Sequence, residues 1–340
     1  MRLLLDLAIA RLPFRPRIKA RLALSLQTTD DLRRISAPDL AAFLYEKQAN
    51  SLFGNDKETQ EALPSPEKLA SMWEKRDKAL AEAEKDAVFL ERRGMGCLSI
   101  AESTYPLLLK TIYDPPAALF YRGDVSGLTN AAVRVAIVGT RKPGAGVPTW
   151  TYAIARNLAA AGVPIVSGLA IGIDAQAHRG AVDAGAPTYA VLGSAVDEVF
   201  PHSNRVLAAR IVEKGGALVS EYPPGVLPQK WHFPARNRII SGLCAVTLVA
   251  AAPKKSGALI TAGFAAEQNR DVWVGGGPEP FGEGCERLAF DGAKVITGIE
   301  CALAELGIKA AAPESAQKDN AAAPSSALAG SLARELGISF

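Results

Sequence analysis

The chain has 340 residues, of which 49% are hydrophobic and 21% are charged. This length suits about two domains of roughly 100–200 residues, and the composition excludes a wholly disordered chain or a fibrous repeat. The formal net charge of +3 is too small to indicate a nucleic-acid partner by itself, so any such argument depends on where the charges lie.

The four cysteines and three histidines lie far apart, with no CxxC pair and no spacing typical of a zinc site. We expect buried, reduced cysteines and neither a metal nor a cofactor. The longest uncharged apolar stretch, residues 239–253, is too short to span a bilayer. Asp6 and Arg11 interrupt the apolar N-terminus, which argues against a signal peptide. The sequence therefore predicts a soluble, cytoplasmic protein without a membrane partner.

Residues 1–88 are predicted to form a small, all-helical N-terminal domain. Apolar residues recur at helical spacing in residues 18–26, 40–44 and 69–80. Ser36 and Ser65 each lie just before a proline and an acid, which is typical of a helix start. Five basic residues between Arg11 and Arg21 form either a solvated helix face or an additional nucleic-acid contact.

From about residue 133, short β-branched runs alternate with helical segments. The predicted strands are residues 133–138, 164–166, 188–192, 217–220, 245–250, 271–274 and 294–296. The predicted helices are residues 149–161, 174–184, 204–214 and 259–268. Continuous apolar strands separated by helices are typical of βαβ units around a parallel sheet. We therefore predict an α/β fold, with an extended Rossmann-type, doubly wound, mostly parallel sheet within residues 89–308.

Residues 309–340 differ in composition from the rest of the chain. Ala, Pro and Ser dominate residues 309–326, which is typical of a flexible linker. The remaining residues are enough only for a short amphipathic tail. We predict no further domain in this segment.

A glycine-rich loop follows the first predicted strand of the Rossmann domain. Such a loop binds phosphate through backbone N–H groups and the N-terminus of the next helix. The loop contains Gly139, Thr140, Arg141 and Lys142 but lacks the third glycine and the later acid of a dinucleotide site, and the chain has no P-loop motif. Its two cations indicate an anionic ligand held by side chains as well as backbone.

Two further loops follow predicted strands and precede helices. Their candidate contact residues are Ser167, Gly168 and Gly172 in one loop and Lys255, Ser256, Gly257 and Thr261 in the other. Ser256 is alternatively a helix cap, and Asp174 is expected to cap the helix after the first of these loops. His178 has no partner at catalytic spacing, so we expect it to pack within a helix interface.

The strongest signal for a ligand lies between Glu221 and Glu267, where no acid occurs. Five basic residues stand there, namely Lys230, Arg236, Arg238, Lys254 and Lys255. Trp231 and Phe233 interleave with them. Cations pair with phosphates and aromatic rings stack on unpaired bases, so a loop of this composition predicts binding of single-stranded nucleic acid. The alternatives are a solvated loop with its rings in the core and, for the two arginines, a role in bracing the loop against a helix.

These motifs together closely resemble the DprA/Smf family of DNA-processing proteins over roughly residues 100–300. The matching segments are residues 138–141, 167–174 with His178, 192–193 with Asp197 and Pro201, 220–225, 233–242 and 256–262. The resemblance implies an extended Rossmann fold that forms a homodimer, binds and protects single-stranded DNA, and loads the RecA recombinase in natural transformation and recombination. It brings no catalytic residue.

Carried over by motif, the resemblance implies DNA contacts at particular positions. These are Arg141, Lys230, Phe233, Arg236, Asn237 and Arg238, with Ser167, Gly168 and Gly172 lining the loop over the pocket. The helical N-terminal region resembles the sterile-alpha-motif-like domain often found in the family. The winged-helix domain of many members is expected to be absent.

The chain departs from the family pattern at one edge of the expected pocket. Ala250, Ala251 and Ala252 replace a Val-Glu-Ala run, Gly275, Gly276 and Gly277 replace Val-Pro-Gly, Glu286 replaces an asparagine, and Phe200-Pro201 replaces Tyr-Pro. We expect these changes to alter the shape of the pocket.

Two alternative functions remain open. Related Rossmann proteins of the lysine-decarboxylase-like type bind or cleave nucleotides with a PGGxGTxxE motif, to which residues 275–279 are a loose match in a different order. The other alternative is an interaction scaffold that binds neither ligand. The sequence favours a non-enzymatic, single-stranded DNA-binding protein.

Overall fold

The computed structural model describes residues 2–49, 64–130, 133–276 and 282–308. The chain through Ile308 forms one compact unit. The linker and tail predicted for residues 309–340, and Gly277 of the glycine run, lie outside the described residues. Among the helices described, none has the length and apolarity needed to cross a bilayer.

The N-terminal region is helical, as predicted. Its described helices are α1 (Arg2–Arg11), α2 (Pro16–Ser25), α3 (Thr29–Arg34), α4 (Ala37–Ala49), α5 (Pro66–Trp73) and α6 (Arg76–Arg92). The apolar stretch predicted as one helix over residues 69–80 is divided between α5 and α6 by a turn at Glu74 and Lys75. Ser65 caps α5 by accepting a hydrogen bond from the N–H of Lys68 at 3.4 Å.

The described strands form one nine-stranded sheet. They are β1 (Met95–Ser99), β2 (Ala118–Gly123), β3 (Val135–Gly139), β4 (Ile165–Ser167), β5 (Thr188–Val191), β6 (Ala217–Ser220), β7 (Val246–Ala251), β8 (Asp271–Gly275) and β9 (Lys294–Ile296). Their spatial order is β1-β2-β6-β5-β4-β3-β7-β8-β9. Only the β1–β2 and β2–β6 pairs are antiparallel. The predicted mostly parallel sheet is confirmed. The strands β1 and β2, which form the antiparallel pairs, were not predicted.

Nine described helices connect these strands or follow them. They are α7 (Leu107–Lys110), α8 (Ser126–Thr129), α9 (Val147–Ala160), α10 (Ile173–Asp183), α11 (Arg205–Glu213), α12 (His232–Gly242), α13 (Gly257–Glu267), α14 (Glu283–Phe290) and α15 (Ile299–Glu305). The main difference from prediction is α12, because the cation- and aromatic-rich segment was interpreted as a loop. Its apolar residues Ile239 and Ile240 are buried one turn after Arg236, which is the helical period.

The N-terminal helices and the sheet share their hydrophobic core. One buried cluster contains Leu5, Leu22 and Trp73 from the helices together with Phe120 and Val219 from the sheet. The boundary predicted at residue 88 falls within α6, and the helices before it pack in the same buried cluster as the sheet.

The winding of the sheet reverses at β3, which lies between β4 and β7. From β3 the chain proceeds through β4, β5 and β6 on one side and then returns to β7 on the other. In open α/β sheets, the loops at the carboxyl ends of the strands beside such a point form the ligand-binding crevice. The predicted contact residues follow β3, β4, β6 and β7 and so lie at this carboxyl edge.

Candidate nucleic-acid interface at the carboxyl edge

The loops after β3 and β4 are in backbone contact. Gly172 has a φ of +84°, and a Cβ there would lie 2.5 Å from the Thr140 carbonyl oxygen and 2.8 Å from the Arg141 backbone. Only glycine accommodates both this conformation and this approach. The contact fixes the backbone of the β3 loop, from which the side chains of Arg141 and Lys142 extend into solvent.

Arg236 lies beneath the β4 loop, where it is only 4% exposed. Its guanidinium donates hydrogen bonds to the carbonyl of Gly168, at 2.7 Å, and to the carbonyl of Val191. Burial, opposed by the charge of Asp174, lowers the pKa of Arg236 to about 10. Arg236 therefore links α12 to the ends of β4 and β5.

Arg238 is also buried, and it forms a bidentate ion pair with Glu221 at 2.7 and 2.8 Å. Its Nε donates to the carbonyl of Asp114 at 2.9 Å. Of the two alternatives for Arg236 and Arg238, the structure supports bracing. The expected DNA contact is not supported at either position, because a phosphate would have to break the protein contacts of a buried guanidinium.

The remaining predicted cations are exposed at the same edge. They are Arg141, Lys142, Lys230 and Lys255, and the neighbouring Lys254 is exposed as well. No side chain of this set has a hydrogen bond or ion pair with the described part of the chain. Two acids of the adjoining loops are already occupied, because Glu221 pairs with Arg238 and the buried Asp174 accepts a hydrogen bond from the Ala170 N–H at 3.3 Å. The edge thus presents positive charge that these acids do not neutralise.

Aromatic side chains accompany these cations. The Phe233 ring is half-buried against Gly193, and its centroid lies 5.4 Å from that of Phe200. Trp231 is 63% exposed and Phe200 is 43% exposed. Phe200 was not predicted as a site residue and was noted only as a departure from the family's Tyr-Pro motif. The signal that could have identified it is that the family has another aromatic residue, tyrosine, at this position.

The polar side chains predicted to contact phosphate are mostly bonded within the protein. Ser167 Oγ donates to the Ile137 carbonyl at 2.6 Å, and Thr261 Oγ1 donates within its own helix to Gly257 at 3.4 Å. Both residues are buried, and so is Gly168, so direct contact with a ligand is not supported for these three.

The other predicted polar and glycine positions remain accessible. Ser256 caps α13 by accepting the Ala258 N–H at 3.2 Å, as its alternative interpretation predicted. Asn237 Nδ2 donates to the Gly257 carbonyl at 3.3 Å, which joins α12 to α13. Gly139, Thr140, Gly172, Ser256, Gly257 and Asn237 are all partly or fully exposed.

Asp174 and His178 lie on the inner side of α10. The prediction that Asp174 is the N-cap is wrong, because Gly172 occupies that position and Asp174 lies in the first turn. His178 packs as predicted, with Nδ1 2.9 Å from Thr188 Oγ1. The Thr188 hydroxyl donates to the Ile165 carbonyl, so Nδ1 carries the proton. Burial lowers the pKa of His178 to about 3, and the ring is therefore neutral.

The departures from the family pattern lie around the ends of β7 and β8. Ala250, Ala251 and Ala252 are buried, and a Cβ on Gly275 would lie 2.9 Å from the Trp150 ring. Glu286 is exposed on α14.

The described residues contain no group of three His, Cys, Asp or Glu side chains that could hold a metal ion. All four cysteines are free; Cys244 and Cys285 are buried and the other two are half-buried.

Comparison with known proteins gives consistent matches. Residues 96–307 match the family model described as DNA recombination-mediator protein A. The chain is 40% identical over 216 residues to the DNA processing protein DprA of Bacillus subtilis (strain 168) and 45% identical over 207 residues to Protein Smf of Synechocystis sp.. These matches cover 63% and 60% of this chain, and 72% and 52% of the two relatives.

Two solved structures are also similar to the chain. DNA processing protein A from Streptococcus pneumoniae matches with a TM-score of 0.69 and 31% identity, over 88% of this chain and 95% of that chain. DNA processing protein A from Helicobacter pylori, described for its single-stranded DNA binding mode, matches with a TM-score of 0.56 and 29% identity, over 62% of this chain and 95% of that chain.

Proposed function

The chain belongs to the DprA/Smf family of DNA-processing proteins, and from this membership we propose that it binds single-stranded DNA at the carboxyl edge of its sheet. The observation that carries the proposal is the group of exposed cations at that edge that have no partner among the described residues, beside the exposed rings of Phe200 and Trp231. The description of the Helicobacter pylori relative as a single-stranded DNA binder supports the same ligand.

The cations and the rings contribute different parts of the binding free energy. Arg141, Lys142, Lys230 and Lys255 pair with phosphates and release condensed counterions, which makes the affinity depend on salt. Phe233 stacks on an unpaired base, which favours a single strand over a duplex. Asn237 and the exposed backbone at Gly139, Thr140, Gly172, Ser256 and Gly257 line the path between them.

We propose that the protein acts without catalysis. The two titratable side chains of α10 nearest the loops, Asp174 and His178, are both buried and bonded inside the protein. A general acid or base must reach the proton that it transfers, and these two side chains face the interior.

From family membership we also propose that the protein protects incoming single strands, loads RecA onto them in recombination and natural transformation, and acts as a homodimer. Light scattering measures the oligomeric state and should give the mass of a dimer. Loading is measured as the rate at which RecA assembles on single-stranded DNA. This rate should be higher in the presence of the protein, and an unchanged rate would contradict loading.

The proposed DNA binding is tested with a labelled oligo-dT and a matched duplex, using fluorescence anisotropy over a salt series. We expect the wild type to prefer the single strand. Lys230→Ala should weaken binding, with the slope of log affinity against log salt reduced by about 0.7, the value for one phosphate contact on a single strand.

The matched control is Lys214→Ala, because Lys214 is exposed and precedes β6 at the opposite edge of the sheet. This variant should bind like the wild type. Equal affinity for single strand and duplex, or equal losses in the two variants, would contradict the proposed site.

A further inference from the structure

Phe200 and Phe233 form an aromatic corner at the carboxyl edge. Their ring centroids are 5.4 Å apart and their planes are inclined by 52°. Phe233 is half-buried against Gly193, so packing accounts for its position. Phe200 is 43% exposed, and packing leaves a large part of its apolar surface in water.

The angle between the rings limits what they can bind together. Two bases stacked on each other are parallel, whereas rings inclined by 52° cannot both lie face to face with a parallel pair. Resting on the proposed function, we propose that Phe200 and Phe233 stack on two successive bases and hold that base step unstacked. Phe200 is then a DNA-binding residue in its own right.

Two features of the surroundings favour nucleobases as the occupants. Lys230 precedes Phe233 by three residues, just before α12, and its side chain is exposed and has no partner among the described residues. A phosphate bound by Lys230 is attached, through its sugar, to a base only a few bonds away, which places that base near the rings. The His202 ring packs edge-on against Phe200, with centroids 5.8 Å apart, which supports the Phe200 ring from one side.

An opened base step gives the site a preference among DNA sequences. Sequence preferences of single-strand binders arise from stacking strength and backbone flexibility. Adjacent adenines stack strongly on each other and lose that interaction on binding, whereas adjacent thymines lose little. The corner therefore favours oligo-dT over oligo-dA.

The test compares oligo-dT with oligo-dA of equal length for the wild type, Phe200→Ala and Phe200→Tyr. Phe200→Ala should weaken oligo-dT binding by about fivefold to tenfold, since one base loses its stacking partner. The ratio of the affinity for oligo-dT to the affinity for oligo-dA should become smaller in this variant. The slope of log affinity against log salt should stay the same, because no charge is removed. Phe200→Tyr retains a ring and should bind like the wild type.

A second readout reports base stacking directly. The fluorescence of 2-aminopurine flanked by adenines should rise on binding to the wild type, because the base leaves its neighbours, and should rise less with Phe200→Ala. The control is Phe89→Ala, which removes a half-buried ring from α6 in the N-terminal helices.

The outcomes separate this inference from the proposed function. If Lys230→Ala weakens binding while Phe200→Ala binds and discriminates like the wild type, the aromatic corner is overturned and the DNA site stands. If the wild type shows no salt-sensitive binding of oligo-dT, both are overturned.

Discussion

At the scale of single residues, burial separates two kinds of cation at the carboxyl edge. Arg236 and Arg238 are only 4% and 6% exposed and are bonded to carbonyls or to Glu221. Removing either would leave buried acceptors or a buried charge without a partner, at a cost of several kcal/mol. Arg141 and Lys230 have no such partners in the described part of the chain, so their substitution should change ligand affinity more than stability.

His178 makes the folded state sensitive to acid. Its pKa falls from 6.5 to about 3 on folding because burial penalises the imidazolium. Between these values the unfolded chain binds a proton that the folded chain does not. The contribution of His178 to stability is therefore complete above pH 6.5 and decreases as the pH falls, by about 1.4 kcal/mol per pH unit.

The measurement is urea unfolding at pH 7.5 and pH 5.0. We expect the free energy of unfolding of the wild type to fall by about 2 kcal/mol more than that of His178→Gln over this interval. Equal losses in the two proteins would show that His178 takes up its proton in the folded state.

At the scale of elements, the segment between β6 and α12 is held by the N-terminal helices. Arg11 at the end of α1 donates to the Pro224 carbonyl at 2.9 Å and pairs with Asp86 of α6. This segment leads directly to Lys230. The N-terminal helices thus help to position the part of the edge that carries the proposed phosphate contact.

Part of the basic stretch of α1 and α2 makes internal contacts. Lys19 donates from Nζ to the Ala10 carbonyl at 2.6 Å, and burial lowers its pKa to about 8. Arg17 lies over the Tyr113 ring at 4.4 Å, and Arg21 donates to carbonyls of α4. The charged groups of these three residues are turned to neighbouring helices and loops, whereas Arg15 of the same stretch is exposed. Internal contacts therefore account for part of the stretch, and an additional nucleic-acid contact stays a prediction.

Replacing Arg11 should destabilise the protein strongly. Arg11→Met leaves Asp86, which is 4% exposed, as a buried carboxylate without its partner, and such a loss costs about 3–5 kcal/mol. Urea unfolding at neutral pH measures the change. The double variant Arg11→Met/Asp86→Leu should recover much of the loss.

The matched control is Arg33→Met, which removes an arginine from an exposed pair with Asp30, with side chains 52% and 59% exposed. An exposed pair contributes little, so a change of less than about 1 kcal/mol is expected. Similar changes at Arg11 and Arg33 would show that burial does not decide the strength of these pairs.

At the scale of the whole molecule, one apolar cluster joins the N-terminal helices to the sheet. Elements that share a core lose their packing together, so we expect a single cooperative unfolding transition. Trp73 in α5 is 1% exposed and Trp273 in β8 is 3% exposed, which makes them internal probes of the two regions.

The measurement uses two variants that each keep one of these tryptophans, with the other three replaced by phenylalanine. In each variant, the urea midpoint from tryptophan fluorescence should equal the midpoint from far-ultraviolet circular dichroism. Any difference between the two variants then reflects the effect of the replacements on stability. A fluorescence midpoint that departs from the circular dichroism midpoint of the same variant would show that the helices unfold as a separate domain.

Local patterns in the sequence were enough to predict the alternation of strands and helices, the doubly wound sheet, the glycine-rich loops at strand ends and the family. Apolar periodicity and glycine positions act within a few residues, so they can be read along the chain. The strands β1 and β2 were not predicted. In β1, Met-Gly-Cys-Leu-Ser, the sequence has no clear alternation and the first residues are half-buried.

Only the tertiary structure decided which charges and rings are available to a ligand. In the sequence, Arg236 and Arg238 lie among cations that prove to be exposed. Both are buried because α12 packs against the ends of β4 and β5, against Glu221 and against the segment before β2. Phe200 meets Phe233 across 33 positions of chain. These contacts depend on how distant segments pack together, and no local pattern records that packing.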